Sequence, residues 1–172
     1  MNKFLEIDER LSARLRVAEK PGLLRSAAVF VGHTGDSWFW LAALALLYFF
    51  GSEYWKTRAL VFAVGIVVTA VVVMVIKFTV RRRRPEGELG QIYRKTDPHS
   101  FPSGHAARAV MLAVLAAGIG PAWLGIFLGV WAIAVVMARV LMGVHYLSDV
   151  LAGALLGLVA GYLVLLISAA WI

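Results

Sequence analysis

Cysteine is absent from the 172 residues. That excludes a disulfide scaffold, a thiolate nucleophile and a Cys-ligated zinc or iron–sulfur centre. Charged residues are also missing from four long stretches, residues 37–51, 59–76, 109–138 and 150–172. Acidic residues are few, 10 Asp plus Glu against 17 Lys plus Arg, for a formal charge of +7. In a soluble chain that balance would suggest a nucleic-acid binder, but basic residues beside apolar runs usually meet anionic headgroups. Anionic bilayer lipids are therefore the expected partners, and nucleic acid is not. No apolar h-region follows Lys3, so the N-terminus is not expected to act as a signal peptide. Apolar residues make up 61% of the chain, against about 45–50% for soluble domains. A chain of this length cannot hide that much apolar surface inside one core, so lipid is the solvent for most of it.

The reading is an all-α, polytopic transmembrane helical bundle with about five crossings and an N-terminal amphipathic interfacial helix. Phe4, Leu5, Leu11, Leu15 and Val17 alternate with charged residues at helical spacing up to Lys20, and Pro21-Gly22 ends that pattern. Residues 1–33 form the interfacial segment in this division and 34–172 the transmembrane domain. The run 109–138 is too long for one span, and Gly118, Gly120 and Pro121 turn it into a hairpin. The expected crossings are 36–51, 57–79, 103–119, 122–142 and 146–171. The first covers only about 24 Å of a roughly 30 Å layer. Gly153, Gly157 and Gly161, with Gly125 and Gly129, recur every four residues and would let helix backbones approach closely.

Parity brings the polar loop 80–102 and the turn 139–149 to one face, and with them Lys77, Arg84, His105, Arg108, Arg139, His145 and Asp149. Charge at the rim of a span is costly and usually functional. Lys77 and Arg84 lie about 10 Å apart if the helix continues between them. Arg81, Arg82 and Arg83 read as headgroup contacts, with one or two of the four arginines free to point inward. Pro102 and Ser103 stand where a helix starts, so the first-turn amides offer an anion site that Gly104 leaves open to close approach, with His105 in reach. His145 and Asp149, four apart, share a helix face, so the carboxylate can fix the imidazole tautomer and leave the other nitrogen nucleophilic. Arg139 supplies a guanidinium whose paired donors match phosphate geometry. Two histidines, a carboxylate and three or more cations make an inventory for phosphoryl transfer. No metal or other cofactor is expected: the histidines and Asp149 could hold zinc, but the adjacent cations repel it.

Three strings carry a family resemblance: "KFTVRRRRP" at 77–85, "PSGH" at 102–105 and "ARVLMGVHYLSD" at 138–149. They match K-x6-RP, PSGH and SR-x5-H-x3-D, and the chain resembles the type 2 phosphatidic acid phosphatase superfamily, in its small bacterial integral-membrane form. Ala138 replaces the serine that opens the third motif. The resemblance implies a metal-independent hydrolase of lipid phosphates or polyprenyl diphosphates. In it His145 forms a phosphohistidine, Asp149 orients His145, and His105 serves as acid and then base. It also implies that Lys77, Arg84, Ser103, the Gly104 amide and Arg139 hold the phosphate of a membrane lipid substrate. Arg108 lies outside the signature and is read as a contact to a second phosphate or headgroup, and the Tyr93-Arg94-Lys95 segment as the place of headgroup discrimination. Basic residues near the N-terminus favour a cytoplasmic site by simple counting, whereas the resemblance favours an extracytoplasmic one.

Overall fold

The computed structural model describes residues 3–17, 20–94, 97–170 and 172. Eight helices run in chain order: α1 (Lys3–Leu15), α2 (Leu23–His33), α3 (Ser37–Phe50), α4 (Glu53–Val80), α5 (Glu88–Arg94), α6 (Gly104–Ile119), α7 (Ala122–Leu141) and α8 (Leu147–Ser168). Among the described residues there is no sheet, only one isolated bridge between Arg83 and His99 that pinches the long loop before α6. Residues 59–76 are rich in Val and Ile, which in water would favour a strand. In hydrocarbon every backbone amide needs an internal partner, and the helix supplies it.

The protein is a polytopic membrane bundle, but the expectation of about five crossings is not met. Among the described residues three helices are long and apolar enough to cross: Glu53–Val80, Ala122–Leu141 and Leu147–Ser168. α3 has 14 residues and α6 has 16, and at about 1.5 Å per residue neither reaches the roughly 30 Å of a hydrocarbon layer. The length of an apolar run misleads because local signals cut the helix inside it. α6 cannot begin before its N-cap Ser103 and stops at Gly120, one residue ahead of Pro121.

α6 is the hub, packed against α4, α7 and α8. Its inner residues Met111, Leu112, Leu115 and Ala116 are fully buried and join Phe62 and Ile66 of α4 and Leu128 of α7 in the core. The seam with α8 is built from glycine. A Cβ on Gly153 would lie 2.4 Å from the Ser103 carbonyl oxygen, and one on Gly157 would lie 2.2 Å from that of Ala107. The α7 pair differs, since Gly125 abuts Ala117 whereas Gly129 has nothing within 4 Å. α1 turns a polar face inward: Asp8 and Ser12 are buried while Phe4, Ile7 and Leu11 stay exposed. Ser12 Oγ accepts from the Leu147 amide at 2.8 Å and Asp8 Oδ1 from that of Ser148 at 3.0 Å. α1 thereby caps the orphan amides at the start of α8, and its apolar side is left for lipid.

Candidate active site

Three breaks in the helices set the site. α4 ends at Arg81, which takes a left-handed conformation with φ 53°, so the helix does not carry through to Arg84. α6 starts at Gly104, where Ser103 Oγ accepts from the Ala106 amide at 3.5 Å and the Ser103 amide donates to the Asp149 carbonyl at 2.9 Å. α7 closes at Gly143 with φ 65°, a left-handed position that glycine takes without a Cβ penalty. That turn carries Val144 and His145 back toward the loop that follows α4.

Arg84 connects these pieces. Its Nη1 donates to the Val144 carbonyl at 2.8 Å and lies 3.2 Å from His145 Nε2, while Nε and Nη2 donate to Asp97 at 2.6 and 2.7 Å. A guanidinium can only donate, so Nε2 of His145 accepts and the ring proton sits on Nδ1, on the side of Asp149. His145 Nδ1 is 3.7 Å from Asp149 Oδ2 and makes no hydrogen bond among the described residues. The hydrogen bond expected between them is therefore not formed. Asp149 accepts instead from the Tyr146 amide at 2.9 Å and from Arg82 at 2.8 Å, because its place in the first turn of α8 makes it a cap for the helix.

Lys77 is buried and donates to Asp97 and to the His99 carbonyl. Lys77 and Arg84, seven residues apart, thus converge on one carboxylate. Arg139 is wholly buried on α7. Its Nη1 donates to the Tyr93 hydroxyl at 3.2 Å, and its Nε and Nη2 have no hydrogen-bond partner among the described residues. Burial drives the His145 imidazole well below the ordinary histidine value, and the charges of Arg84, Arg139, Lys77 and His105 act in the same direction. His105 is hydrogen-bonded through Nε2 to Asp36 Oδ1 at 2.6 Å. Arg108 donates to the Gly35 carbonyl and leaves Nε without a partner.

Lys77, Asp97, Gly104, His105 and Arg108 line a cavity of about 120 Å³ together with Thr69, Ala70, Val73 and Met74 of α4. Met74 is 47% exposed, so the cavity wall includes a side chain that also faces the outside of the bundle. Ser103 turns its hydroxyl to capping α6. Tyr93 lies beneath two guanidinium groups, 4.7 Å from Arg139 and 5.5 Å from Arg84. Arg94 donates to the Arg84 carbonyl at 2.6 Å and so bends inward. Lys95 lies outside the described residues.

Four participants carried no spacing signal. Arg82, read with Arg81 and Arg83 as a headgroup contact, bridges Asp8 at 2.7 Å and Asp149 at 2.8 Å. Asp8, Asp36 and Asp97 supply carboxylates from outside the three motifs. Asp8 pays a burial penalty that would raise its carboxyl, yet hydrogen bonds from Ser148 and Arg82 hold it below the usual range. The cue in the sequence was the scarcity of acids: with so many cations at one rim, each aspartate nearby is a candidate counter-ion. Among the described residues no group of three or more His, Cys, Asp or Glu side chains converges on a metal position.

Residues 58–172 match the PAP2 superfamily. An undecaprenyl-diphosphatase of Sulfolobus acidocaldarius is 32% identical over 139 residues, covering 78% of this chain and 66% of that protein. A decaprenylphosphoryl-5-phosphoribose phosphatase of Mycobacterium tuberculosis is 31% identical over 161 residues, covering 92% of this chain and 88% of that one. The crystal structure of a PAP2-type phosphatidylglycerolphosphate phosphatase from Bacillus subtilis superposes with a TM-score of 0.80 at 26% identity, covering 99% of this chain and 88% of the other.

Proposed function

This chain belongs to the PAP2 superfamily of membrane phosphatases, and on that premise we propose that it hydrolyses the terminal phosphate of a membrane lipid phosphate or polyprenyl diphosphate through a phosphohistidine on His145. Nε2 of His145 attacks phosphorus, and the bond to the leaving oxygen breaks as His105 protonates that oxygen. Water then attacks the phosphohistidine with His105 as base, and the N–P bond breaks. Lys77, Arg84 and Arg139 hold the phosphate oxygens together with the Gly104 amide. Ser103 presents that amide by capping α6, and Arg84 keeps the ring proton of His145 on Nδ1, where the Asp149 carboxylate lies 3.7 Å away and favours it electrostatically. No step in this scheme needs a metal.

The observation that carries the proposal is Arg139. A guanidinium buried without an anion is strongly unfavourable, and its Nε and Nη2 point to no acceptor among the described residues. A phosphate offers those acceptors in the required bidentate geometry. A cavity walled on one helix by ionised Lys77 and by apolar Ala70, Val73 and half-exposed Met74 suits an amphiphile whose tail stays in the bilayer. Phosphatidylglycerol phosphate, phosphatidic acid and undecaprenyl diphosphate are the substrates to compare. Arg108, at the wall of the cavity, is the contact for a second phosphate or for the headgroup; Tyr93, which touches Arg139 and His33, and Arg94, which holds the Arg84 carbonyl, are the further headgroup candidates. We place the site on the extracytoplasmic side on the strength of the family resemblance, against the simple count of N-terminal basic residues.

The test is phosphate release by the purified protein in detergent or liposomes, with EDTA present, from each of the three lipids. We expect turnover of at least one, and a loss of about 10³-fold or more in His145→Ala. Equal rates for wild type and His145→Ala would overturn the proposal. Transfer to an added alcohol without any phosphate release would make the protein a phosphotransferase instead.

A further inference from the structure

We propose that Asp36 is the positioning residue for His105, holding Nε2–H so that Nδ1 carries out the proton transfers at the phosphoryl group. The inference rests on the reading of His105 as acid and base, and it adds a residue that lies outside the three motifs.

Asp36 occupies the N-cap of α3 with extended backbone angles, the position where an aspartate ordinarily accepts from its own helix. Here its side chain makes no such bond. One oxygen is 2.6 Å from His105 Nε2 and the other 3.0 Å from His33 Nδ1. The carboxylate is diverted from a local cap to a histidine 69 residues away, and the turn that presents it is firmly fastened. Trp40 Nε1 donates to the Thr34 carbonyl at 2.9 Å and Trp131 Nε1 to Thr34 Oγ1 at 2.8 Å. The Gly35 carbonyl accepts from Arg108. Gly35 itself lies against the imidazole, where a Cβ would come within 3.2 Å of His105 Cδ2. Burial alone would raise the Asp36 carboxyl, but its bonds to His105 and His33 hold it down to about 2, so it stays ionised at neutral pH.

With Nε2 engaged, Nδ1 is the ring nitrogen left for chemistry. It gives its proton to the leaving oxygen as the P–O bond breaks and the bond from His145 Nε2 to phosphorus forms. It then takes a proton from water as the new O–P bond forms and the N–P bond breaks. The charged and titratable groups around the ring come from several elements. Arg108 lies on α6, Arg139 on α7, Lys77 on α4, His145 in the turn after α7, and Asp97 in the loop after α5, while His33 on α2 shares Asp36. Burial first, and then Arg139 and Arg108, oppose a proton on His105 and bring its pKa down to about 3. Asp36 is the carboxylate hydrogen-bonded to that ring, and it opposes them.

The experiment measures kcat and KM for phosphate release from about pH 4 to pH 10 in wild type, Asp36→Asn, Asp36→Glu and His105→Ala, with thermal midpoints as a folding control. An adjacent opposite charge shifts a titration by about one to three units. In Asp36→Asn the alkaline limb of kcat should therefore move toward acid by that amount, with kcat reduced about 10- to 100-fold and KM nearly unchanged. Asp36→Glu should restore part of both, and His105→Ala should lose the alkaline limb altogether. An alkaline limb that stays in place in Asp36→Asn, while His105→Ala is inactive, overturns the role of Asp36 and leaves the acid–base reading standing. A His105→Ala protein with wild-type rate and profile overturns both.

Discussion

Replacing Gly157 by alanine adds one methyl group, and the structure says where it goes. The new Cβ would lie 2.2 Å from the Ala107 carbonyl oxygen and 3.0 Å from both the Ala107 carbonyl carbon and Val110 Cβ. A backbone oxygen cannot rotate away, so α8 has to retreat from α6 by about 1 Å to restore an ordinary contact. Overpacking of this kind costs about 1–3 kcal/mol, partly offset by the roughly 0.5–1 kcal/mol that alanine gains over glycine in a helix. For a chain of this size a net loss of about 1–2 kcal/mol corresponds to about 2–8 °C in the thermal midpoint. The larger effect should be on turnover. α6 carries His105, α8 carries Asp149, and the Ser103 amide ties the two helix starts together through the Asp149 carbonyl at 2.9 Å. A displacement of about 1 Å between reacting groups costs up to about 100-fold in rate. Gly129→Ala is the control, because nothing lies within 4 Å of its Cβ position, and it should leave both quantities unchanged or raise stability slightly. The assay is a thermal melt in detergent beside initial rates of phosphate release at a temperature where both variants are folded. A Gly157→Ala protein within about 1 °C and about twofold of wild type would refute the claim that close backbone approach holds the two halves of the site together.

Two further outcomes are expected. Burial and four neighbouring positive charges favour the neutral form of His145, so the nucleophile stays deprotonated to lower pH than a free imidazole. The acid limb of kcat/KM, corrected for ionisation of the substrate, should fall below the ordinary histidine value of about 6.5, and a limb at or above that value would contradict the assigned environment. Asp97 occupies Lys77 and Arg84 in the absence of substrate, so Asp97→Asn should free both cations and tighten inhibition by inorganic phosphate about three- to tenfold, at some cost in stability. Weaker inhibition in that variant would show that Asp97 orders the cations for phosphate and does not compete with it.

What the sequence made legible follows from physics that acts over short distances. Lys77 to Arg84, Ser103 to His105 and Arg139 to Asp149 are each at most about ten residues apart, so the chain keeps each pair at the same rim even where the helix breaks between them. The carboxylates Asp8, Asp36 and Asp97 meet Arg82, His105 and Lys77 across 74, 69 and 20 residues, and such partners are fixed by packing, which no local pattern encodes. The crossing count failed for a related reason. Hydropathy reports which residues tolerate lipid, whereas helix length is set by caps and breaks, and α6 is apolar along most of its length yet too short to cross. The His145–Asp149 spacing was legible but its hydrogen bond was not, because the same Asp149 oxygen is claimed by the Tyr146 amide at the start of α8.

The distribution of those carboxylates explains how so basic a rim folds beside lipid. A buried cation without a partner costs several kcal/mol, and near hydrocarbon water cannot relieve it. Of the three motif cations, Lys77 and Arg84 share Asp97 as counter-ion; outside the motif positions Arg82 has Asp8 and Asp149, while Arg108 has the neutral Gly35 carbonyl. Among the described residues Arg139 meets the Tyr93 hydroxyl and ring but no carboxylate within ion-pair distance. A phosphate that reaches Arg139 meets a guanidinium with no carboxylate partner among the described residues, so that contact displaces no ion. The Tyr93 ring beneath Arg139 offers a neutral, polarisable surface that steadies the charge. A carboxylate in its place would pair with Arg139 as Asp97 pairs with Lys77, and the phosphate would then have to displace an ion at every contact.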